Sequence, residues 1–316
     1  MSRVPKVRAA LGNCPGRRAT DAAGVIVASR GVWVGPGALE RDPGGFAARV
    51  ERLGYGALWV GGSNPDAESF DVLEQALSET GRLVVATGIT SIWAWEPAAL
   101  AERVAALEAA HPGRFVLGLG VSHAPAVERL GHRYERPLQA MAGFLAGLDD
   151  AEQRHDGGSS FAAPRVLAAL GQRMLELSRD RSEGAHPYLT TPAHTEKARQ
   201  ILGETPLLAP EQALVLEDEP RQARVTARAY LERYLRLPNY RANLEHLGYD
   251  EEDLAGQGSD RIVDALVVHG TPSEVAARVR AHLEAGADHV CVQPLAHGGG
   301  IDAGALEALA PLLAAP

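Results

Sequence analysis

The stretch TPSEVAARVRAHLEAGADHVCVQ, Thr271 to Gln293, decides the fold. Thr271, Pro272 and Glu274 open a helix: the threonine hydroxyl caps the first turn, the glutamate reaches back, and proline costs nothing at a first helical position. Val275, Val279 and Leu283 recur at helical spacing and mark a buried stripe. Gly286 is the stop, and Asp288 to Gln293 is a short, almost wholly apolar run that reads as a strand. A helix that passes through one glycine into a strand of this kind is the crossover of a parallel sheet covered by helices.

The same unit recurs upstream. Strands are expected at Gly31 to Val34, Ala57 to Val60, Leu83 to Ile89, Arg114 to Leu119, Arg165 to Leu170, Gly184 to Leu189 and Gln212 to Leu216, which with Asp288 to Gln293 makes eight. Asp42 and Pro43 start a helix with Phe46, Val50 and Leu53 on one face, and Gly54 ends it. Pro97 starts another, with Leu100, Val104 and Leu107 as its stripe, stopped at His111 and Pro112. Eight such units close an α/β fold of the (β/α)8 TIM-barrel type. A doubly wound open sheet would carry a GxGxxG turn after its first strand, which Gly31 to Pro36 does not supply. Two connections are long. Residues 151–164, with Gly157, Gly158, Ser159 and Ser160, read as a flexible loop. Residues 217–287 hold extra helices around Ala223 to Leu235 and Tyr240 to Leu247, helical insertions expected at the C-terminal face where barrel active sites lie. The division expected is an N-terminal extension over 1–29, flexible or set by an upstream start, and one domain over 30–316.

Composition narrows the function classes. At 316 residues, 46% hydrophobic and 22% charged, the chain is a packed protein rather than a disordered or disulfide-built one. A net charge of −9 argues against nucleic acid or an anionic membrane as partner. Cys14 and Cys291 have no metal-ligand or CxxC spacing, and no apolar run reaches a membrane span, so a cytoplasmic protein is expected. Lysine occurs only at Lys6 and Lys197, which leaves Lys197 as the sole lysine that barrel chemistry could use. The histidines include no HExxH and no i, i+4 pair, so no metal site is expected.

Several strand ends carry candidate chemistry. Val85 to Trp93 ends a strand with Gly88 and small polar residues; taken alone it is a glycine bend. Gly118-Leu119-Gly120-Val121-Ser122-His123 is a glycine-punctuated strand end leading into a helix, but neither a Rossmann fingerprint nor a nucleophile elbow. Ala168 to Met174 repeats the pattern with Arg173 near a helix N-terminus, where a phosphate would be attracted; a surface arginine explains it equally well. His297-Gly298-Gly299-Gly300 reads as a flexible turn.

From Gly31 to Leu295 the chain resembles the bacterial luciferase-like flavin and deazaflavin oxidoreductases, in particular their coenzyme F420-dependent branch. The resemblance is carried by Gly54-Tyr55-Gly56-Ala57-Leu58-Trp59-Val60, Ala86-Thr87-Gly88-Ile89-Thr90, Gly113 to His123, Gly131-His132-Arg133-Tyr134 and Gly286-Ala287-Asp288-His289-Val290, in that order and spacing. It implies a barrel, often dimeric, whose cofactor lies in the C-terminal mouth. It implies a non-prolyl cis peptide at Gly88-Ile89 that backs the deazaflavin, with Thr90 beside it. It implies that Val121 and Ser122 after the fourth strand, and Leu170, Gly171, Gln172 and Arg173 after the fifth, hold the ribityl-phosphate side. Two departures stand out: Gly61-Gly62-Ser63-Asn64 replaces an acidic residue and a histidine found in some relatives, and His123 stands where sugar-phosphate dehydrogenases carry a glutamate.

His123 is thus the candidate catalytic group, a base that titrates near neutrality. Trp33, Trp93, Trp95, His186 and Tyr188 are the candidate substrate-pocket residues at strand ends. The function expected is hydride exchange between F420 and a small, largely apolar substrate. The alternatives are an FMN-dependent monooxygenase fed by a partner reductase, and a barrel that has lost catalysis.

Overall fold

A computed structural model of the chain describes residues 29–39, 42–62, 67–155 and 163–313. Of the extension expected over 1–29, residues 1–28 fall outside the described residues, as do Ser63, Asn64 and residues 156–162 of the loop expected over 151–164; residues 151–155 of that loop instead continue the Pro137–His155 helix.

The strands are β1 (Arg30–Val34), β2 (Ala57–Val60), β3 (Val84–Thr87), β4 (Thr90–Ser91), β5 (Phe115–Gly120), β6 (Arg165–Leu167), β7 (Gly184–Ala185), β8 (Leu207–Leu208), β9 (Glu211–Val215), β10 (Val267–His269) and β11 (Val290–Pro294). Every ladder between them is parallel. Neighbours run β11, β1, β2, β3, β5, β6, β7, β8. β8 pairs with β7, while β9 in the same segment pairs with β11. Residues 207–215 therefore close the ring: Ala209 N donates to Ala185 O on one side (2.9 Å) and Cys291 N to Pro210 O on the other (2.9 Å). The result is an α/β barrel of eight staves, matching the eight strands read from the sequence, with β10 added beside β9.

Besides β6 and β7, which end at Leu167 and Ala185 short of the expected Leu170 and Leu189, three details differ from expectation, each for a local reason. The strand expected over Leu83 to Ile89 stops at Thr87, because the Thr87 hydroxyl takes the place of the backbone ladder. It donates to Gly118 O and accepts from Gly118 N, both at 2.8 Å. The Gly88–Ile89 peptide bond is cis, and pairing resumes where Thr90 faces Leu119. β10 escapes the sequence reading because Val267 follows the Asp260–Leu266 helix without a turn residue. In the last crossover, Val275 and Val279 are buried as expected, but His282 completes the stripe and Leu283 is only half-buried. There His282 bonds to Thr195 (2.8 Å) and Gln212 (3.0 Å), so its buried nitrogens are satisfied.

Local signals place the rest. The Thr271–Glu274 capping box forms in both directions, and Gly286 takes φ +100° as the helix ends. Asp42 accepts from Gly45 N to start the Pro43–Arg52 helix. Outside the ring, Val50, Leu73, Leu100 and Leu107 pack helices against strands. Inside it, Trp59, Ala86, Val116, Val166 and Cys291 fill the barrel, each large buried side chain contributing roughly 1.5–3 kcal/mol. The helices Pro220–Leu231, Pro238–His246 and Asp260–Leu266 form a separate apolar cluster with Ala213 and Val215, which docks the insertion over the mouth.

Candidate functional site

The C-terminal ends of the strands open into a cavity of about 1480 Å³. One side of it is backbone. A side chain at Gly61 would strike the Trp33 indole, and at Gly88 its Cβ would sit 2.6 Å from Trp33 Nε1. At Gly120 it would run into Ile89. Trp33 is fixed in turn by donation from its Nε1 to Gly88 O at 3.1 Å. These glycines leave a shallow surface of main chain, with the Trp33 indole and Ile89 lying where β-carbons would have been. Ser122, on the loop after β5, has φ +56°, a left-handed conformation unusual for a non-glycine residue, and lines the same chamber.

The opposite side is made of side chains from the insertion. Trp33 lies against Tyr188 (4.9 Å between ring centres), Tyr188 against Tyr234 (5.6 Å), Tyr234 edge-on to Tyr240 (5.3 Å), and Tyr240 against His123 (5.6 Å). Their hydroxyls are ordered. Tyr230 donates to Tyr188 (2.7 Å), Tyr188 donates to Gln293 Oε1 (2.9 Å), and Tyr188 and Tyr234 are 3.1 Å apart. Arg233 donates to the Tyr234 oxygen (2.5 Å) while its guanidinium lies 4.5 Å from that ring's centre. Burial pushes the Tyr188, Tyr230 and Tyr240 phenols well above 10, and Tyr234 above its usual value, so all four remain neutral donors. His123 is held below 6.5, first by burial and also by the Arg233 charge, against a hydrogen bond with Asn239.

Beneath the chamber the barrel holds two titratable groups in apolar surroundings. Glu211 is fully buried; one carboxylate oxygen accepts from Leu189 N (3.0 Å), whose φ of +56° turns that N–H inward, and the other oxygen has no hydrogen-bond partner. Desolvation raises its pKa to about 8. His186 stacks on Trp59 at 4.3 Å and donates from Nδ1 to Ala209 O (2.6 Å), leaving Nε2 without a hydrogen-bond partner. Burial draws its pKa down to about 4.

The structure brings together Trp33, Gly88, Ile89, Val121, Ser122, His123, Leu170, Gly171, His186 and Tyr188 around this one cavity. It does not bring the others. Thr90 is buried behind the wall. Trp93 turns away, donating from Nε1 to Val121 O (2.8 Å) with its ring near His132 and Tyr134. Trp95 packs edge-on against Phe70 at 5.2 Å. Gln172 bonds along its own helix to Glu176 (2.9 Å), and Arg173 is exposed outside the lining. Sequence reasoning missed Tyr230, Arg233, Tyr234, Tyr240 and Gln293. One signal was available: five of the chain's seven tyrosines line the cavity, and 230, 233 and 234 share one helical face.

Comparison with known proteins is consistent with this geometry. The luciferase-like monooxygenase family model matches residues 25–289. A 5,10-methylenetetrahydromethanopterin reductase of Methanolobus tindarius is 24% identical over 285 residues, covering 78% of this chain and 87% of that protein. The coenzyme F420-dependent tetrahydromethanopterin reductase of Methanopyrus kandleri superposes with a TM-score of 0.71 at 17% identity, covering 90% of this chain and 97% of that one. The oxygenating constituent of the 3,6-diketocamphane monooxygenase of Pseudomonas putida, in complex with FMN, superposes at 0.60 with 13% identity, covering 83% and 91%.

Proposed function

The chain belongs to the luciferase-like monooxygenase family, and from that premise we propose that it is an oxidoreductase of the F420-dependent kind, acting on a small organic molecule held in the cavity above the barrel. The observation that carries the reading is the glycine-floored cavity at the strand ends. Gly61, Gly88 and Gly120 let Trp33 and Ile89 pack flat against the main chain, and the cavity of about 1480 Å³ above that surface has room for a flat ring, so the residues present fit a deazaflavin or flavin. When bound, such a group supplies hydride transfer itself. The protein's contribution is to seat and orient it: Gly88 and Ile89 form the surface behind it, while Val121, Ser122, Leu170 and Gly171 border it. Tyr188, held by its bond to Gln293, and Tyr234 wall the substrate space and help exclude water. His123, neutral at pH 7, is the group placed to accept a proton there.

F420 is preferred over FMN because the sequence resemblance lies with the F420-dependent branch, and the similar tetrahydromethanopterin reductase of Methanopyrus kandleri is itself F420-dependent. The FMN-bound neighbour keeps the second reading specific: an oxygen-using monooxygenase supplied with reduced flavin by a reductase. A cytoplasmic homodimer goes with either. No described helix is long and apolar enough to cross a membrane. Fluorescence titration with F420 and with FMN tests the proposal. Submicromolar binding of F420 alone, with anaerobic turnover, is the expected result; tighter binding of FMN with turnover only in air would replace it by the second reading, and binding of neither would leave a barrel without catalysis.

A further inference from the structure

The charged side chains that line the cavity are all of one sign. Among its described lining residues are Arg129 and Arg233, with His123, and no aspartate or glutamate, in a chain whose net charge is −9. A cationic chamber in an acidic protein is a local arrangement, opposed by the field of the whole molecule.

Arg233 also lacks the partners that most of the described arginines have, as do nine others, Arg129 on the same cavity among them. Twelve described arginines lie within ion-pair distance of a carboxylate, including Arg165, Arg199 and Arg224. Two more, Arg114 and Arg278, give their guanidinium N–H groups to backbone carbonyls. Arg233 shows neither among the described residues; its one hydrogen bond is to the Tyr234 hydroxyl. A guanidinium carries five N–H donors in a planar fork, and with one given to Tyr234 the others are free for a ligand at the cavity rim, where Arg233 is exposed.

The hydroxyl count points the same way. The proton of Tyr230 goes to Tyr188, that of Tyr188 goes to Gln293, and the oxygen of Tyr234 receives Arg233. Tyr188 already accepts one bond, which makes the proton of Tyr234 the least committed of the three. It can swing from Tyr188, 3.1 Å away, to an acceptor in the chamber.

We propose that Arg233 and the Tyr234 hydroxyl form the recognition site for an acidic oxygen group, and that the substrate is a small organic acid whose apolar body lies along the tyrosine wall with its carboxylate at Arg233. This rests on the reading of the cavity as the substrate chamber. The same chemistry can come from two sources, the substrate's carboxylate or the acidic tail of the cofactor, and the test separates them.

Benzoate and benzyl alcohol, which share a body and differ in charge, are titrated calorimetrically against the full-length chain without cofactor and again with F420 present. Benzoate should bind at least about tenfold more tightly, Arg233→Met should erase that preference, Arg233→Lys should restore part of it, and Tyr234→Phe should weaken benzoate with little effect on the alcohol. Equal binding of the two probes, or a preference that survives Arg233→Met, overturns the proposal. So does the opposite arm. If Arg233→Met weakens F420 tenfold but leaves both the phosphate-free deazaflavin nucleus and benzoate unchanged, the charge serves the cofactor. Because the first titration contains no cofactor, loss of the F420 reading and loss of this one give different data. Arg233 is exposed, and an unchanged melting temperature verifies that each variant is folded.

Discussion

The two halves of the cavity are built by different means. The strand side is largely main chain: at Gly61, Gly88 and Gly120 the missing side chains let Trp33 and Ile89 lie flat against the backbone, and its titratable groups, Glu211 and His186, are buried where desolvation favours their neutral forms. The opposite side is side chain: Tyr188 from the loop after β7 with Tyr230, Arg233, Tyr234 and Tyr240 from the insertion, their hydroxyls ordered by one another and by Gln293. A surface largely of main chain accepts a flat ring of almost any substitution, whereas a wall of ordered hydroxyls discriminates. The seat and the selectivity of this barrel therefore belong to separate segments, and substitutions should separate them.

The largest effect is expected under the seat. Glu211 ionises near 8 in the folded chain and near 4.5 when unfolded, the shift arising first from burial and opposed by the Leu189 N–H. Between those values the folded state keeps a proton that the unfolded state has released. Its contribution is therefore fully present below pH 4.5 and is lost as pH rises to 8. Glu211→Gln should match the parent at pH 4 and exceed it by about 3–5 kcal/mol at pH 9. Urea unfolding at both values checks this; parallel pH profiles for parent and variant would mean that the carboxylate is solvated and the strand side is not the dry half. His186 and His282, held neutral by burial, act in the opposite direction as pH falls below 6.5, and equally in both chains.

Next comes the seat itself. Gly88→Val places carbon atoms against Trp33 and against Trp59 Cβ, 3.4 Å away, and should displace the indole into the chamber. Overpacking of this kind costs about 1–3 kcal/mol, which predicts cofactor binding weakened by up to about 100-fold. Tyr230→Phe, on the other wall, should leave cofactor affinity within twofold. If both variants lose cofactor to the same extent, the two halves are one site and the division fails.

The sequence made one half far more legible than the other. Capping at Thr271, the stop at Gly286 and the runs at Ala57–Val60 and Phe115–Gly120 are local events, and they suffice for the barrel. The candidate positions Gly88, Ser122 and His123 follow from family resemblance, because their chain neighbours carry it. Trp93 and Trp95 lie near strand ends as well, but the 3-10 turn Ile92–Ala94 precedes or includes them and they pack on Val121 and Phe70 instead. Tyr230, Arg233 and Tyr234 read as an ordinary helix face. Which face of the Pro220–Leu231 helix and its continuation looks into the mouth is set by how Ala223, Ala227 and Leu231 dock on the barrel, a tertiary fact with no local mark.

A smaller effect is expected where the halves meet. His123 on the loop after β5 faces Arg233, Asn239 and Tyr240 from the insertion. It is held below 6.5 by burial and by Arg233, and Tyr240 stays neutral throughout the range. Protonation below that value adds a second cation beside Arg233. Benzoate affinity should therefore rise by about threefold as His123 takes up its proton below pH 6.5, the scale of a partly solvated charge pair. The rise should vanish in His123→Asn. A flat profile in the parent would place His123 outside the reach of the chamber's anion.

The smallest effect is the sharpest check on the strand side. If that half binds through main chain, then a cation in the first turn of the next helix adds little. Arg173 stands beyond Gly171 in the Gln172–Arg181 helix, exposed, and Gly171 rather than Arg173 meets the cavity. The resemblance-based expectation assigns it the cofactor's phosphate, which would make Arg173→Ala cost about 1–3 kcal/mol in binding. The geometry leads to a different value: the backbone N–H groups at Gly171 and the start of the helix remain in the variant, and the exposed Arg173 charge, two residues past Gly171 and outside the cavity lining, is screened by solvent. F420 affinity in Arg173→Ala should stay within twofold of the parent at 0.15 M salt. A tenfold loss would show that the side chain folds back over the mouth when cofactor is bound, and that the strand half also relies on a side chain.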